Sequence, residues 1–148
     1  MPRSRRWTDD DGSASLEFIT AGLILLVPLV YLVLAVAAIQ GGALAVEGAA
    51  RQAVRVFVQA PDQATGQAAA MRALEFALAD HGLTDADVSI AITCSASPCL
   101  TRREFVTVTV DLAVPLPLVP PVLQGDFPLA VPLSAESTQQ VSRFWGSG

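Results

Sequence analysis

An uncharged, apolar run of 29 residues, from Phe18 to Val46, constrains this chain more than any other feature. As an α-helix the run would be about 44 Å long at roughly 1.5 Å per residue, whereas the hydrocarbon core of a bilayer is about 30 Å thick. Outside the run and the charged N-terminal segment about 90 residues remain, too few to surround it as a buried core helix. We therefore predict a transmembrane helix over residues 13–46, and the internal Pro28 is tolerated in such helices.

The charge composition argues against a nucleic-acid partner. The 148-residue chain has nine Arg, no Lys and fourteen acidic residues, with a net charge of −5, and its basic residues form no patch. Its single histidine, His81, its two cysteines and its scattered acids supply no nucleophile with a base, no paired carboxylates and no metal ligand set. We expect no enzyme activity, no cofactor and no metal site.

Basic residues flanking the apolar run predict its orientation. Arg3, Arg5 and Arg6 precede the run, and Arg51 and Arg55 follow it. Cytoplasmic flanks carry the excess of Arg and Lys, so this small imbalance favours a cytoplasmic N-terminus. We expect a single-pass protein of the cytoplasmic membrane with its C-terminal domain outside.

A short stretch in front of the run, DGSASLEF at residues 11–18, places Gly12 shortly before Glu17 and the aromatic Phe18. This pattern resembles the class III prepilin-peptidase site of type IV pilins, and specifically that of the TadE-like pseudopilins of the tight-adherence system. The resemblance implies that a prepilin peptidase removes residues 1–12 as a leader by cutting between Gly12 and Ser13. It implies a minor pseudopilin whose partners are that peptidase, other pilin or pseudopilin subunits, the pilus assembly platform and the lipid bilayer.

The resemblance also implies that Glu17, followed by Phe18, sets subunit register during assembly. A carboxylate inside a membrane segment costs roughly 2.5–3.5 kcal/mol on insertion scales, so it needs a partner. After cleavage the new α-amine of Ser13 would lie one helical turn away, because positions i and i+4 share a helix face. Pairing with that amine, or with the amine of a neighbouring subunit, would offset part of the cost.

Two alternatives remain open at the level of sequence. The chain could be an unprocessed single-pass anchor for a binding module, with Glu17 among lipid headgroups near the N-terminal dipole of the helix. It could also be a secreted domain, because the small residues at 43–45 would satisfy a signal peptidase cutting near Ala45. Incorporation into a surface pilus, rather than a role in priming assembly, is also undecided.

The remainder, residues 47–148, is predicted to form a small α+β head outside the membrane. Apolar residues at helical spacing predict a helix over 47–59 that continues the membrane segment, and a second over 64–81. We expect Met71, Phe76 and Leu78 of the second helix to be core residues.

Strict alternation then predicts antiparallel strands at about 87–94 and 104–114. We expect a further strand at about 128–141. The fold class is therefore α+β and pilin-like, with a sheet of three or four strands. Cys94 and Cys99 flank the turn between the first two strands, and in an oxidising compartment we expect them to form a disulfide. The proline-rich segment 115–132 is either a crossover lying on the sheet or an exposed apolar loop that contacts membrane or another subunit.

Overall fold

A computed structural model of the chain describes residues 13–84, 86–119 and 129–146. In these ranges two helices precede a three-stranded sheet; the elements are α1 (Ser13–Gln59), α2 (Gln63–Asp80), β1 (Asp87–Cys94), β2 (Phe105–Pro115) and β3 (Ala130–Gln140). The sheet order is β1-β2-β3 and both pairings are antiparallel. The predicted α+β, pilin-like layout is confirmed.

The predicted membrane helix and the helix over 47–59 form one continuous helix of 47 residues, α1. The predicted bounds of β1 coincide with the observed ones, and those of α2, β2 and β3 are displaced by one or two residues. The second helix begins at Gln63 rather than 64, because Asp62 occupies its N-cap. It ends in a turn where Gly82 adopts a φ of +68°, a left-handed conformation that glycine accepts without a steric penalty.

The two faces of the sheet differ in character, as the alternation predicted. On one face a cross-strand row joins Ile90 of β1, Val110 of β2 and Ala135 of β3. That face carries the buried residues of β2, which are Val106, Val108, Val110, Leu112 and Val114. The opposite face presents polar side chains, among them Thr107 and Thr138, whose hydroxyl oxygens lie 2.7 Å apart.

The core of the head lies between this apolar face and the C-terminal half of α1, with α2 packed on α1. Helix α1 contributes buried side chains on one stripe, as the helical periodicity predicted; they include Val46, Ala50, Ala53, Val54 and Phe57. On the opposite side of α1, Arg51 pairs with Glu47 at 2.7 Å, and both side chains are exposed. The second half of the long helix is therefore the central element of the head.

Helix α1 and strand β2 run in opposite directions along the core. At one end of the head, Gly42 of α1 approaches Val114 and Leu133 so closely that a Cβ at position 42 would overlap Val114. At the other end, the indole N–H of Trp145 donates to the Ala60 carbonyl at 2.8 Å. We call the end at Gly42 and Val114 the proximal end, and the end at Ala60 and Trp145 the distal end.

Two of the three predicted core residues of α2 are exposed. Leu78 is buried as expected, but Met71 and Phe76 lie on the solvent side of the helix. The buried residues of α2 are Gly66, Ala70, Leu74 and Leu78. Helix α2 turns this side inward because Gly66 fits against Phe57: a Cβ there would lie 3.1 Å from Phe57 Cδ2.

Candidate functional site

The N-terminal half of α1 carries the residues that the sequence singled out. Ser13 is the first residue of α1, and Gly12 of the expected cleavage site lies outside the described residues. Glu17 and Phe18 are both exposed, one turn into the helix. The structure thus places Glu17 and Phe18 at the start of the apolar helix, and the cleavage itself stays a prediction.

Beyond Phe18 the helix presents apolar side chains on every side. The exposed large hydrophobic residues between positions 19 and 36 are Ile19, Leu23, Ile24, Leu25, Leu26, Val27, Leu29, Val30, Tyr31, Leu32, Val33, Leu34 and Val36. A soluble domain rarely exposes a continuous apolar surface of this size, which marks a contact with lipid or with another protein. Within the described residues, α1 is the one helix long and apolar enough to cross a membrane.

The expected cysteine pair is confirmed: Cys94 and Cys99 are joined by a disulfide, with their Cα atoms 5.2 Å apart. Local hydrogen bonds hold the same turn. The Ser95 hydroxyl accepts the Phe105 backbone N–H and donates to the Glu104 carboxylate, each at 2.8 Å. This stapled turn lies at the distal end of the head, where β2 begins.

Hydrogen bonds from the C-terminal segment close the distal end. Arg102 Nε donates to the Trp145 carbonyl at 2.8 Å, while the Trp145 indole donates to Ala60. Trp145 packs against the core of the head, and its partner Ala60 could not be read from the sequence. A tryptophan gives no signal of which distant carbonyl its N–H will reach.

Concave surfaces of the head are shallow. The cleft between the α1–α2 turn and the C-terminal segment has a volume of about 450 Å³ and is lined by Pro61, Phe144 and Trp145 among others. A hollow of about 330 Å³ on the outer face of the sheet lies beside Asp87 and Asp111. The described residues hold no group of three or more His, Cys, Asp and Glu side chains that could bind a metal ion.

Asp62 is a helix cap that was not predicted from the sequence. Its carboxylate accepts hydrogen bonds from the Thr65 backbone N–H and from the Thr65 hydroxyl, both at 2.9 Å. These two bonds, the first above all, lower the pKa of Asp62 below its ordinary value. The signal that could have found it is the acid three residues before Thr65, directly after a proline.

The capping geometry predicts a pH-dependent contribution to stability. Because the pKa of Asp62 is lowered on folding, its contribution is complete above the ordinary aspartate pKa, near 3.9, and is lost as the pH falls through the pKa of the folded state. We expect Asp62→Ala to lower the melting temperature at neutral pH, and the gap to the natural chain to narrow below about pH 3.9. Thermal unfolding followed by circular dichroism measures this gap.

The matched control is Asp62→Asn, which keeps a capping oxygen and removes the titrating group. Its own cap should stay constant with pH, so the natural chain should lose stability relative to this variant in acid. A gap between Asp62→Ala and the natural chain that is equally large at neutral and acid pH would contradict the capping role of the carboxylate.

Comparison with protein-family models, with curated proteins and with solved structures yields no match to the chain. The class of protein therefore rests on the fold and on the candidate site. The described residues form a small α+β head of pilin-like layout, built on one long helix whose exposed N-terminal half is compatible with a single-pass membrane anchor.

Proposed function

We propose that this chain is a minor pseudopilin of a tight-adherence, type IVc pilus-like system. It inserts in the cytoplasmic membrane with its N-terminus inside, and a prepilin peptidase trims it after Gly12. Its apolar helix then packs beside those of other pilin or pseudopilin subunits at the assembly platform. Its role is structural rather than catalytic.

One observation carries this proposal: a single helix serves two environments. The C-terminal half of α1 is the centre of the head, with Phe57 and Ala53 fully buried, while the N-terminal half exposes apolar side chains on all sides. A helix of this kind transmits a lateral contact within the membrane directly to the head, because no loop separates the two parts. Such mechanical continuity suits a subunit that assembles through its helix.

The small residues of α1 support lateral packing. A Cβ placed at Gly22 or Gly41 would have nothing within 4 Å, so these positions are open for the approach of another helix. In lipid, small residues let helix backbones approach closely, and this close packing drives association. The head uses Gly42 for its own sheet, so the neighbouring positions remain for partners.

The packing of α1 favours this proposal over release of a secreted domain. Ala45 and Val46 are buried in the head, and Gly42 contacts the sheet. Cleavage near Ala45 would remove Gly42 and expose the proximal end of β2 and β3. A domain that keeps its long helix retains these contacts.

The test is the N-terminal sequence and intact mass of the protein recovered from the membrane fraction of its native host. We expect a start at Ser13. A start at Met1 would mean an unprocessed anchor, and a start near Val46 would mean a released domain; either would contradict the proposal.

A matched pair of variants isolates the cleavage site. Gly12→Val should block trimming, because a bulky β-branched side chain replaces the residue at the cut. Gly22→Ala should be trimmed normally, because nothing lies within 4 Å of a Cβ at that position. Equal trimming of both variants would place the cut elsewhere.

A further inference from the structure

The length of the uncharged run determines which residues of α1 lie in the hydrocarbon core of a bilayer, however far the helix is shifted along the membrane normal. About 20 helical residues cross the hydrocarbon core. Every span of that length placed between Phe18 and Val46 contains residues 27–37. Ala35 therefore lies within the hydrocarbon region for each of these placements.

Ala35 is nevertheless covered on one side by the protein itself. It is 8% exposed, whereas its neighbours Leu34 and Val36 are each 42% exposed. Its face of the helix continues, three and seven residues later, through the half-buried Ala38 to Gly42, which contacts Val114 and Leu133. Ala35 is thus buried at bilayer depth, on the same face of α1 as Gly42, which contacts β2 and β3.

Strand β2 points from the head toward this covered position. It runs from the distal end to Val114 at the proximal end, beside Gly42, and the next residues continue past Pro115. The Leu116 backbone N–H donates to the Leu129 carbonyl at 3.1 Å, so the pairing of β2 with β3 extends beyond the sheet. Ala35 lies roughly 10 Å from Gly42 along the helix, and residues 117–118 form a turn at this end of the sheet.

The described residues of this extension are apolar. Leu116, Pro117, Leu118 and Val119 carry no charge, and Leu118 is 74% exposed. Leu118 also has a φ of 60°, a conformation that costs a leucine energy and is uncommon outside glycine. We call residues 116–119 the proximal loop.

The ends of β2 and β3 next to this loop carry no charged side chains. Asp87 starts β1 opposite Ala113, and Asp111 is the last charged residue of β2. On β3 the first charge is Glu136, which pairs with Thr109. Residues 112–119 and 129–135 are thus free of charged side chains, and Asp87 at the start of β1 is the nearest charge of the sheet.

We propose that the proximal loop inserts into the bilayer leaflet on the side of the head, as a second membrane contact beside α1. This inference rests on the membrane-spanning part of the proposed function and not on its assembly part. The loop would hold the head at a fixed height and orientation on the membrane surface. Because the loop lies to one side of the α1 axis, its insertion would oppose rotation of the head about that axis.

The test uses an environment-sensitive nitrobenzoxadiazole label on single introduced thiols in the full chain, reconstituted at one copy per phosphatidylcholine nanodisc. The two natural cysteines are joined in the disulfide and leave the introduced thiol to react. Leu118→Cys reports on the loop and Leu29→Cys on the middle of the apolar helix. Phe105→Cys is the matched control, because it is an exposed apolar residue at the distal end of the same strand.

We expect labels at positions 118 and 29 to be at least about fivefold less quenched by aqueous iodide than the label at 105, because ions are excluded from apolar surroundings. Both should also be quenched by nitroxide-bearing lipids. If position 29 is shielded but position 118 is as accessible as 105, the loop inference is overturned and the anchor stands.

Two further outcomes also overturn the inference. If iodide quenches the label at position 29 as it quenches the label at 105, α1 does not span the membrane, and the proposed function is contradicted as well. Shielding of position 118 only in nanodiscs that hold two copies, without quenching by nitroxide lipids, would assign the loop to a second copy of the chain.

Discussion

Replacing Phe57 by alanine is expected to lower the free energy of unfolding of the head by about 3–5 kcal/mol, the range for a buried aromatic side chain. Phe57 is 0% exposed and lies where α2 meets α1, close against Gly66. The neighbours cannot collapse into the space it leaves, because α1 is held on its other side by the sheet. For a domain of this size the melting temperature should fall by roughly 15–30 °C.

The matched control for this large effect is Phe76→Ala in α2. Phe76 is 71% exposed, so the same truncation should change stability by no more than about 0.5 kcal/mol. Thermal unfolding of the full chain in nanodiscs, followed by near-ultraviolet circular dichroism, compares the two variants. Equal shifts for Phe57→Ala and Phe76→Ala would mean that the core described around Phe57 is wrong.

These two phenylalanines show where sequence reasoning about the fold succeeds and where it stops. In α1 the apolar spacing through Val54 and Phe57 selects one face, and that face is buried. Helix α2 is rich in alanine, so its small side chains define no dominant face, and a large residue such as Phe76 was taken for core. The inward side is set by Gly66, because a glycine at this position lets α2 approach Phe57 of α1 closely. This contact exists only once the two helices are packed together, so the sequence of α2 alone does not reveal it.

The strands were predictable because alternation in a sheet is a local property of the sequence. Every second residue of β2 from Val106 to Val114 is apolar and buried, whereas the residues between them are half-buried or exposed. The Cys94–Cys99 bond was equally local, since both cysteines flank one turn. Long-range contacts such as Gly42 with Val114, or Trp145 with Ala60, were not predictable, because they depend on how helix and sheet meet.

The candidate site was also predictable from the sequence, because its residues are neighbours along the chain. Glu17 and Phe18 belong to a short pattern next to an apolar helix, and the structure places both on the exposed start of α1. What a monomer lacks is the surface that would cover Glu17. Its role is therefore tested by assembly rather than by stability.

Glu17→Ala is expected to leave membrane insertion and trimming intact while reducing assembly by roughly 100-fold or more. In the proposed assembly the Glu17 carboxylate pairs, inside the apolar helix bundle, with the α-amine of Ser13 of its own chain or of a neighbouring subunit. Removing one partner of a buried ion pair leaves the other charge uncompensated, which costs about 3–5 kcal/mol. A cost of that size lowers an association constant by at least about two powers of ten.

The control is Glu47→Ala, the same substitution on the same helix at an exposed acid that pairs with Arg51 on the surface. An exposed pair of this kind contributes little, so this variant should assemble like the natural chain. Assembly is measured as the fraction of chain recovered with partner subunits after cross-linking in native membranes, and insertion as the amount in the washed membrane fraction. If Glu17→Ala assembles as well as Glu47→Ala, Glu17 does not contribute to the assembly contact. Loss of the variant from the membrane would instead make Glu17 a determinant of insertion.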